Sequence, residues 1–167
     1  MLPTLSVRPA TPADLPAVAR LAAKLVRYHH ALDAHRFMIL EPVEPGYERW
    51  LGHELADPQA VIVVAERDGT LLGYAYGRVE ARDWNALLDA HGALHDLYVD
   101  EAARSGGVGL ALIEAIAARL AALGAPRVVL HTATQNTTAQ RLFARAGFRS
   151  TMIEMTRELE APQRPPS

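Results

Sequence analysis

The 167-residue chain contains no cysteine. That excludes a disulfide scaffold, a cysteine nucleophile and any thiolate metal site, and it fits a reducing cytosol. There is one lysine, Lys24. In all, 17 basic side chains face 19 acidic ones, for a formal net charge of −2. Without a cationic surplus the chain is not expected to coat nucleic acid or an anionic membrane. No apolar run reaches the roughly 18 residues that a membrane span needs. The opening Leu2-Pro3-Thr4-Leu5-Ser6-Val7-Arg8 lacks the charged-then-apolar layout of a secretory signal, so a cytoplasmic setting is expected. No internal repeat or low-complexity block is present. Half the residues are apolar, enough to bury a sizeable core unaided. Residues 1–160 therefore read as a single domain, and 161–167, ending Pro165-Pro166-Ser167, as a disordered tail.

Periodicity gives the expected elements. A short strand fits Leu5 to Arg8. Thr11-Pro12-Ala13-Asp14 starts a helix, with Thr as N-cap, Pro at the first helical position and an acid in the first turn. Its apolar stripe runs through Leu15, Val18, Ala22 and Leu25, and the helix is expected to end near Tyr28 or Ala31. Residues 32–44 read as a loop. A shorter helix over 46–56 should bury Trp50, Leu51 and Leu55. Val61 to Ala65 is short and β-branched, hence a strand. Asp68-Gly69 is a two-residue hairpin turn, and Leu71 to Val79 returns as its partner. Residues 82–91 have no clear period and read as a loop with some helix. Leu94 to Val99 is a further strand. Val108 to Leu123 is an amphipathic helix with Leu112, Ile113, Ile116 and Leu120 inward, ended by Gly124. A strand follows at Val128 to Thr132, then a helix at Thr137 to Ala146 buried through Ala139, Leu142, Phe143 and Ala146. A final extended region spans Phe148 to Leu159. The order predicts an α/β fold with a mixed, mostly antiparallel sheet and a parallel crossover through the 108–123 helix.

The most informative stretch is Leu97-Tyr98-Val99-Asp100-Glu101-Ala102-Ala103-Arg104-Ser105-Gly106-Gly107-Val108-Gly109-Leu110, a strand that runs through a glycine turn into a helix. The first N–H groups of a helix lack intrahelical acceptors and carry partial positive charge. Small residues let a phosphate reach them, and Arg104 adds a full charge at the rim. A Walker A loop would need Gly-Lys-Ser/Thr, but Gly109 is followed by Leu110 and Ala111. A dinucleotide fold would need a third small residue where Leu112 stands, and an acid about 20 residues on, where Val128-Val129-Leu130-His131 stands.

Arg104-Ser105-Gly106-Gly107-Val108-Gly109 resembles the Arg/Gln-x-x-Gly-x-Gly/Ala pyrophosphate motif of the GNAT superfamily of acetyl-CoA-dependent N-acetyltransferases. The likeness continues in Asn136 and in Ala139-Gln140-Arg141-Leu142-Phe143 with Gly147-Phe148, which is similar to the family's Asn and its Ala-x-x-Leu-Tyr…Gly-Phe helix. It also covers Arg8-Pro9-Ala10-Thr11-Pro12-Ala13-Asp14-Leu15, and in all about residues 5–159. His95-Asp96-Leu97-Tyr98-Val99 is similar to the diamine (polyamine) branch, which carries Glu at the position of His95.

The resemblance implies a twisted sheet flanked by about four helices, with a β-bulge splaying the 94–99 strand from the 128–132 strand. Acetyl-CoA would enter that gap as co-substrate. Its pantetheine arm would pair with the backbones of Leu97, Tyr98 and Val99. Its pyrophosphate would rest on the amides of 105–110, at Ser105, Gly106, Gly107, Val108, Gly109 and Leu110, with Arg104 beside them. Asn136 and Phe143 would flank the arm, and a backbone N–H near Val99 would polarise the thioester carbonyl. The acceptor implied is the primary amine of a small molecule. Tyr28 and His29 lie where the family builds its acceptor wall. Family members often dimerise, so a homodimer is expected.

An amine must be neutral to attack, and a primary amine with a pKa near 10 is only about one part in a thousand neutral at pH 7, a cost of about 4 kcal/mol. His95 and Asp96 are the candidate bases. Adjacent strand residues face opposite sides, so one of them should reach the cleft. His95 is preferred, since histidine as a type is largely free base at pH 7. The family's general acid, a Tyr, is here Phe143, which has no proton to give. Water or another hydroxyl such as Tyr98 would have to serve, and a non-catalytic acyl-CoA-binding module stands as the alternative reading. His91-x-x-x-His95 has the spacing of two helical metal ligands, but Gly92, the strand reading from 94 and the lack of a third ligand argue against a metal, and none is expected.

Overall fold

The structure is a computed structural model that describes residues 4–159. A five-stranded sheet runs in the order β1-β2-β3-β4-β5, with β1 (Ser6–Pro9), β2 (Ala60–Arg67), β3 (Thr70–Glu80), β4 (His91–Val99) and β5 (Val128–Leu130). The first three junctions are antiparallel, and β4 and β5 run parallel. Helices α1 (Leu15–Leu32) and α2 (Val43–Ala56) cover one face, while α3 (Val108–Ala122) and α4 (Thr137–Arg145) cover the other. This is the mixed α/β architecture expected from the element order.

Each layer follows from its sequence. In β2, Val61, Val63 and Ala65 face α3, whereas Ile62 and Val64 face α1 and α2. The strand is thus apolar on both sides because it is covered on both sides. Val18, Leu21, Ala22 and Leu25 of α1 pack on Tyr74, Tyr76 and Tyr98. Leu112, Ile113, Ile116 and Leu120 of α3 are fully buried, each worth about 1.5–3 kcal/mol of burial. The β2–β3 hairpin turns at Asp68 and Gly69, both at positive φ (51° and 74°), as a two-residue turn requires.

Several expectations need correction. Trp50, expected inside, is 39% exposed, and β5 stops at Leu130 rather than Thr132. Helix α2 begins at Val43, not at Gly46. Pro45 falls in its first turn, where backbone N–H groups have no intrahelical partner to lose. Residues 82–90 contain no helix. Asp83 and Leu88 exchange backbone hydrogen bonds across a tight loop, and β4 starts at His91, three residues early. His91 and His95 therefore lie on a strand, and the His91 ring bonds the Asp89 carbonyl. In α4, Ala139, Leu142, Phe143 and Ala146 are partly rather than fully buried, because the helix borders an open cleft. Finally, residues 148–159 pair with no strand among the described residues. The expected tail at 161–167 lies outside the described residues. Among the described residues, no helix is long and apolar enough to cross a membrane.

Candidate active site

The site is made by one extra residue in β4. Tyr76 of β3 pairs with Asp96, but the next residue, Gly77, pairs with Leu94. His95 is thus a bulge. On its other edge β4 pairs with β5 only from Gly92 to Leu94. Beyond the bulge the two parallel strands part, and the outer edge of 95–99 has no strand partner. The cleft so opened is lined by Leu94, His95 and Leu97 from β4, by Leu130, His131 and Thr132 at the end of β5, by Leu25 and His29 of α1, and by Asn136, Ala139 and Phe143 at α4.

The bulge overturns the expectation that His95 and Asp96 face opposite sides. The His95 ring stacks on Tyr76 at 5.5 Å between centroids. Asp96 accepts a hydrogen bond from the Tyr74 hydroxyl at 2.9 Å. Tyr74 and Tyr76 point to the same face, toward α1 and α2, so both candidate bases do as well. Their environments differ. Asp96 is part-buried, and that burial pushes its carboxyl above the usual carboxylate range, with the Tyr74 hydrogen bond opposing. It does not line the cleft. His95 does, and its Nε2 lies 2.8 Å from Oε1 of Glu80.

After β4 the chain passes through the 104–107 turn, and α3 opens on Gly107, held at φ 76°. No side chain caps this helix, so its first amides are free to bind an anion. A Cβ built on Gly107 would meet no protein atom within 4 Å, which leaves open space above the turn. Gly109 is small for a different reason, because a Cβ there would sit 2.8 Å from Cδ2 of Leu142. The Arg104 guanidinium lies over the Tyr98 ring, and its Nε donates to the Val99 carbonyl at 3.2 Å. A diphosphate therefore fits the donors present: unpaired amides, open space and an exposed arginine.

The remaining expected residues fall as follows. Asn136 caps α4, its side chain accepting from the Ala139 N–H at 3.1 Å, and it also lines the cleft. Phe143 lines the cleft and meets Phe148 edge-on. His29 lines the cleft and stacks on Phe37 at 5.0 Å. Burial pulls its pKa below the ordinary histidine value, so a neutral ring is favoured there. Tyr28 is half-exposed beside His29 and does not line the cleft. Tyr98 is buried against α1 rather than in the cleft, so its hydroxyl is not placed to protonate a leaving group. The sequence reading missed Glu80, Tyr74, Tyr76, His131 and Thr132. Glu80 pairs with His91 across the β3–β4 ladder, and its carboxylate reaches along the strand to His95.

Comparison with known proteins agrees with this geometry. Residues 21–148 match the family model described as acetyltransferase (GNAT) family. A mycothiol acetyltransferase of Cellulomonas flavigena is 37% identical over 103 residues, covering 59% of this chain and 29% of that protein. One from Parafrankia sp. is 30% identical over 171 aligned positions, covering 88% of this chain and 53% of the relative. The chain thus spans about half, or less, of the length of the curated relatives it matches. Among solved structures, an aminoglycoside N-acetyltransferase, AAC(6')-Iy, in complex with CoA shares the fold at a TM-score of 0.79 and 18% identity, covering 96% of this chain and 98% of that one. A GCN5-related N-acetyltransferase from Ralstonia eutropha is 28% identical at a TM-score of 0.71, covering 93% and 99%. The chain belongs to the acetyltransferase (GNAT) family.

Proposed function

We propose that this chain transfers acetyl from acetyl-CoA to the primary amine of a small molecule, by direct attack with both substrates bound. The observation that carries the reading is the bulge at His95, which stands where β4 and β5 part and leaves an imidazole lining the gap. Free α3 amides and Arg104 hold the pyrophosphate. The unpaired edge of β4 at Leu97 and Val99 takes the pantetheine arm as a sheet edge takes a strand. A backbone N–H on this stretch, near Val99, steadies charge on the thioester oxygen. Positioning of this kind supplies most of the acceleration.

His95 removes the amine proton. The Glu80 carboxylate only accepts hydrogen bonds, so it fixes the proton of the pair on Nε2 and leaves Nδ1 as the free lone pair, acting directly or through one water. Asp96 supports the strand through Tyr74. Phe143 gives the departing sulfur no proton, and a thiolate with a pKa near 8.5 leaves acceptably without one.

The names of the relatives support testing mycothiol-type and aminoglycoside-type amines first as acceptors. The similarity of His95-Asp96-Leu97-Tyr98-Val99 to the diamine branch makes a polyamine the second acceptor class. The test is acetyl-CoA turnover against a panel of aminoglycosides, amino-sugar conjugates, polyamines, amino acids and peptides. Turnover with a small amine supports the reading. Activity on peptide N-termini alone, or CoA binding with no turnover on any amine, overturns it.

A further inference from the structure

The turn that opens α3 is tied to a helix on the opposite face of the sheet by the one lysine in the chain. Lys24 sits on α1, and its Nζ donates to Oδ2 of Asp100 at 2.6 Å. Asp100 is the first residue after β4. Its backbone N–H donates to the Leu72 carbonyl at 2.8 Å, and its carbonyl accepts from the Ala103 N–H at 2.9 Å. Its side chain also caps the short turn Glu101–Ala103 by accepting from the Ala102 N–H. The chain thus leaves the sheet and enters the glycine turn on Asp100. A carboxylate suits that cap, yet it places a negative charge just before Arg104, and Glu101 adds another. Arg104, over the Tyr98 ring at 5.6 Å, answers only one of the two. Lys24 answers the other. Its hydrogen bond is the main cause that holds the Asp100 carboxyl below the usual carboxylate range, with the Ala102 N–H and the Arg104 charge adding to it.

We propose that Lys24 is a positioning residue for the acyl-CoA donor: by neutralising Asp100, it lets a carboxylate fix the turn without repelling the pyrophosphate. The inference rests on the reading that the 104–110 turn receives the pyrophosphate of CoA. Lys24 acts through Asp100 and does not touch the ligand. The side chains of the pair are 52% and 31% exposed, so the pair adds little to the stability of the fold. Its consequence is the field at the turn. CoA carries several negative charges, and an unbalanced carboxylate within a Debye length of them is felt through solvent at low salt. With Lys24 in place the rim is neutral apart from the α3 amides, which are then free to attract the anion.

Titration calorimetry of the full chain with CoA at low salt tests it. Lys24→Gln should raise Kd by about three- to tenfold, with thermal unfolding close to wild type because the pair is at the surface. The gap should close at high salt. Asp100→Asn alone should bind at least as tightly as wild type. Lys24→Arg keeps the charge, and Lys24→Gln/Asp100→Asn restores the balance while Asn still caps the turn, so both should bind within about twofold of wild type. Unchanged affinity in Lys24→Gln overturns the proposal. So does a double variant as weak as Lys24→Gln, because the loss would then come from a slackened turn and not from an unbalanced charge. Gly107→Glu, run beside them, separates the two readings. If it weakens CoA binding while Lys24→Gln does not, only the role of Lys24 fails; if it binds CoA like the wild type, the pyrophosphate does not sit at this turn and both fail.

Discussion

Gly107 offers the sharpest separation of backbone, steric and electrostatic effects. It sits at φ 76° with no protein atom within 4 Å of its missing Cβ. Gly107→Ala therefore adds left-handed strain, about 1–2 kcal/mol, and no clash. In a domain of this size that lowers Tm by only several degrees. Gly107→Glu adds the same strain and a negative charge directed at the anion cradle. A unit charge about 4 Å from a phosphate costs about 1 kcal/mol in water and about 4 kcal/mol at a protein-surface dielectric. Residues 104–107 are exposed, which favours the lower half of that range. A penalty of about 1–3 kcal/mol is a 5- to 150-fold rise in Kd. Titration calorimetry with CoA should therefore place Gly107→Ala within about threefold of wild type and Gly107→Glu well beyond it, with the gap narrowing at high salt. Thermal unfolding should show the two variants equally stable. If Gly107→Glu binds CoA like the wild type, the phosphate does not sit at this turn. If Gly107→Ala is as damaged as Gly107→Glu, the loss is backbone strain and the electrostatic argument fails.

Three further outcomes are expected. His95→Ala should lower kcat by about 10²–10⁴ and leave CoA affinity nearly intact, while Glu80→Gln, which keeps the shape but not the charge, should cost about tenfold in kcat; an unchanged kcat in His95→Ala makes His95 a packing residue on Tyr76. Asp14 accepts from Arg8 at 2.8 and 3.0 Å and from the Thr11 N–H at 2.7 Å, and the Arg8 guanidinium holds its carboxyl well below the usual range. A depressed folded pKa stabilises above the unfolded value and is lost as pH falls, so Asp14→Asn should cost about 1–3 kcal/mol at pH 7, with the gap to wild type shrinking below about pH 4; urea unfolding at both pH values checks this, and equal stability at pH 7 refutes it. Gly109→Ala drives a methyl against Leu142, so it should destabilise by about 1–3 kcal/mol, and Leu142→Ala should relieve part of that in a double-mutant cycle.

Much of the fold was legible because the deciding signals are local. The Thr11-Pro12 helix start, the Asp68-Gly69 turn and the apolar period of α3 each lie within a few residues. The glycine turn that opens α3 was legible for the same reason, since a helix N-terminus and its glycines are one contiguous stretch. The errors share the opposite cause. Residues 82–90 have no period because their order comes from Asp83 and Leu88 bonding across the loop and from an Arg82–Asp89 ion pair. Pro45 read as a loop residue because proline is disfavoured in helix interiors, yet its position in the first turn removes that penalty. The final segment has a strand's alternation, but a strand forms only where an edge receives it, and the pattern carries no information about which edge.

The base is the most instructive case. Strict alternation along β4 forces a choice between His95 and Asp96, because each step along a strand reverses the side chain. The bulge removes that premise. With one unmatched residue opposite the Tyr76–Gly77 step, two consecutive side chains share the face of Tyr74 and Tyr76. They divide by depth rather than by face: Asp96 is sunk against a tyrosine hydroxyl, and His95 lies at the cleft with Glu80 on one nitrogen. The same unmatched residue stands where β4 leaves β5. The gap between β4 and β5 and the imidazole that lines it are therefore products of one insertion in the strand. Shifting the bulge by one residue would move both together, so the shared face of His95 and Asp96 could not be read from strict strand alternation.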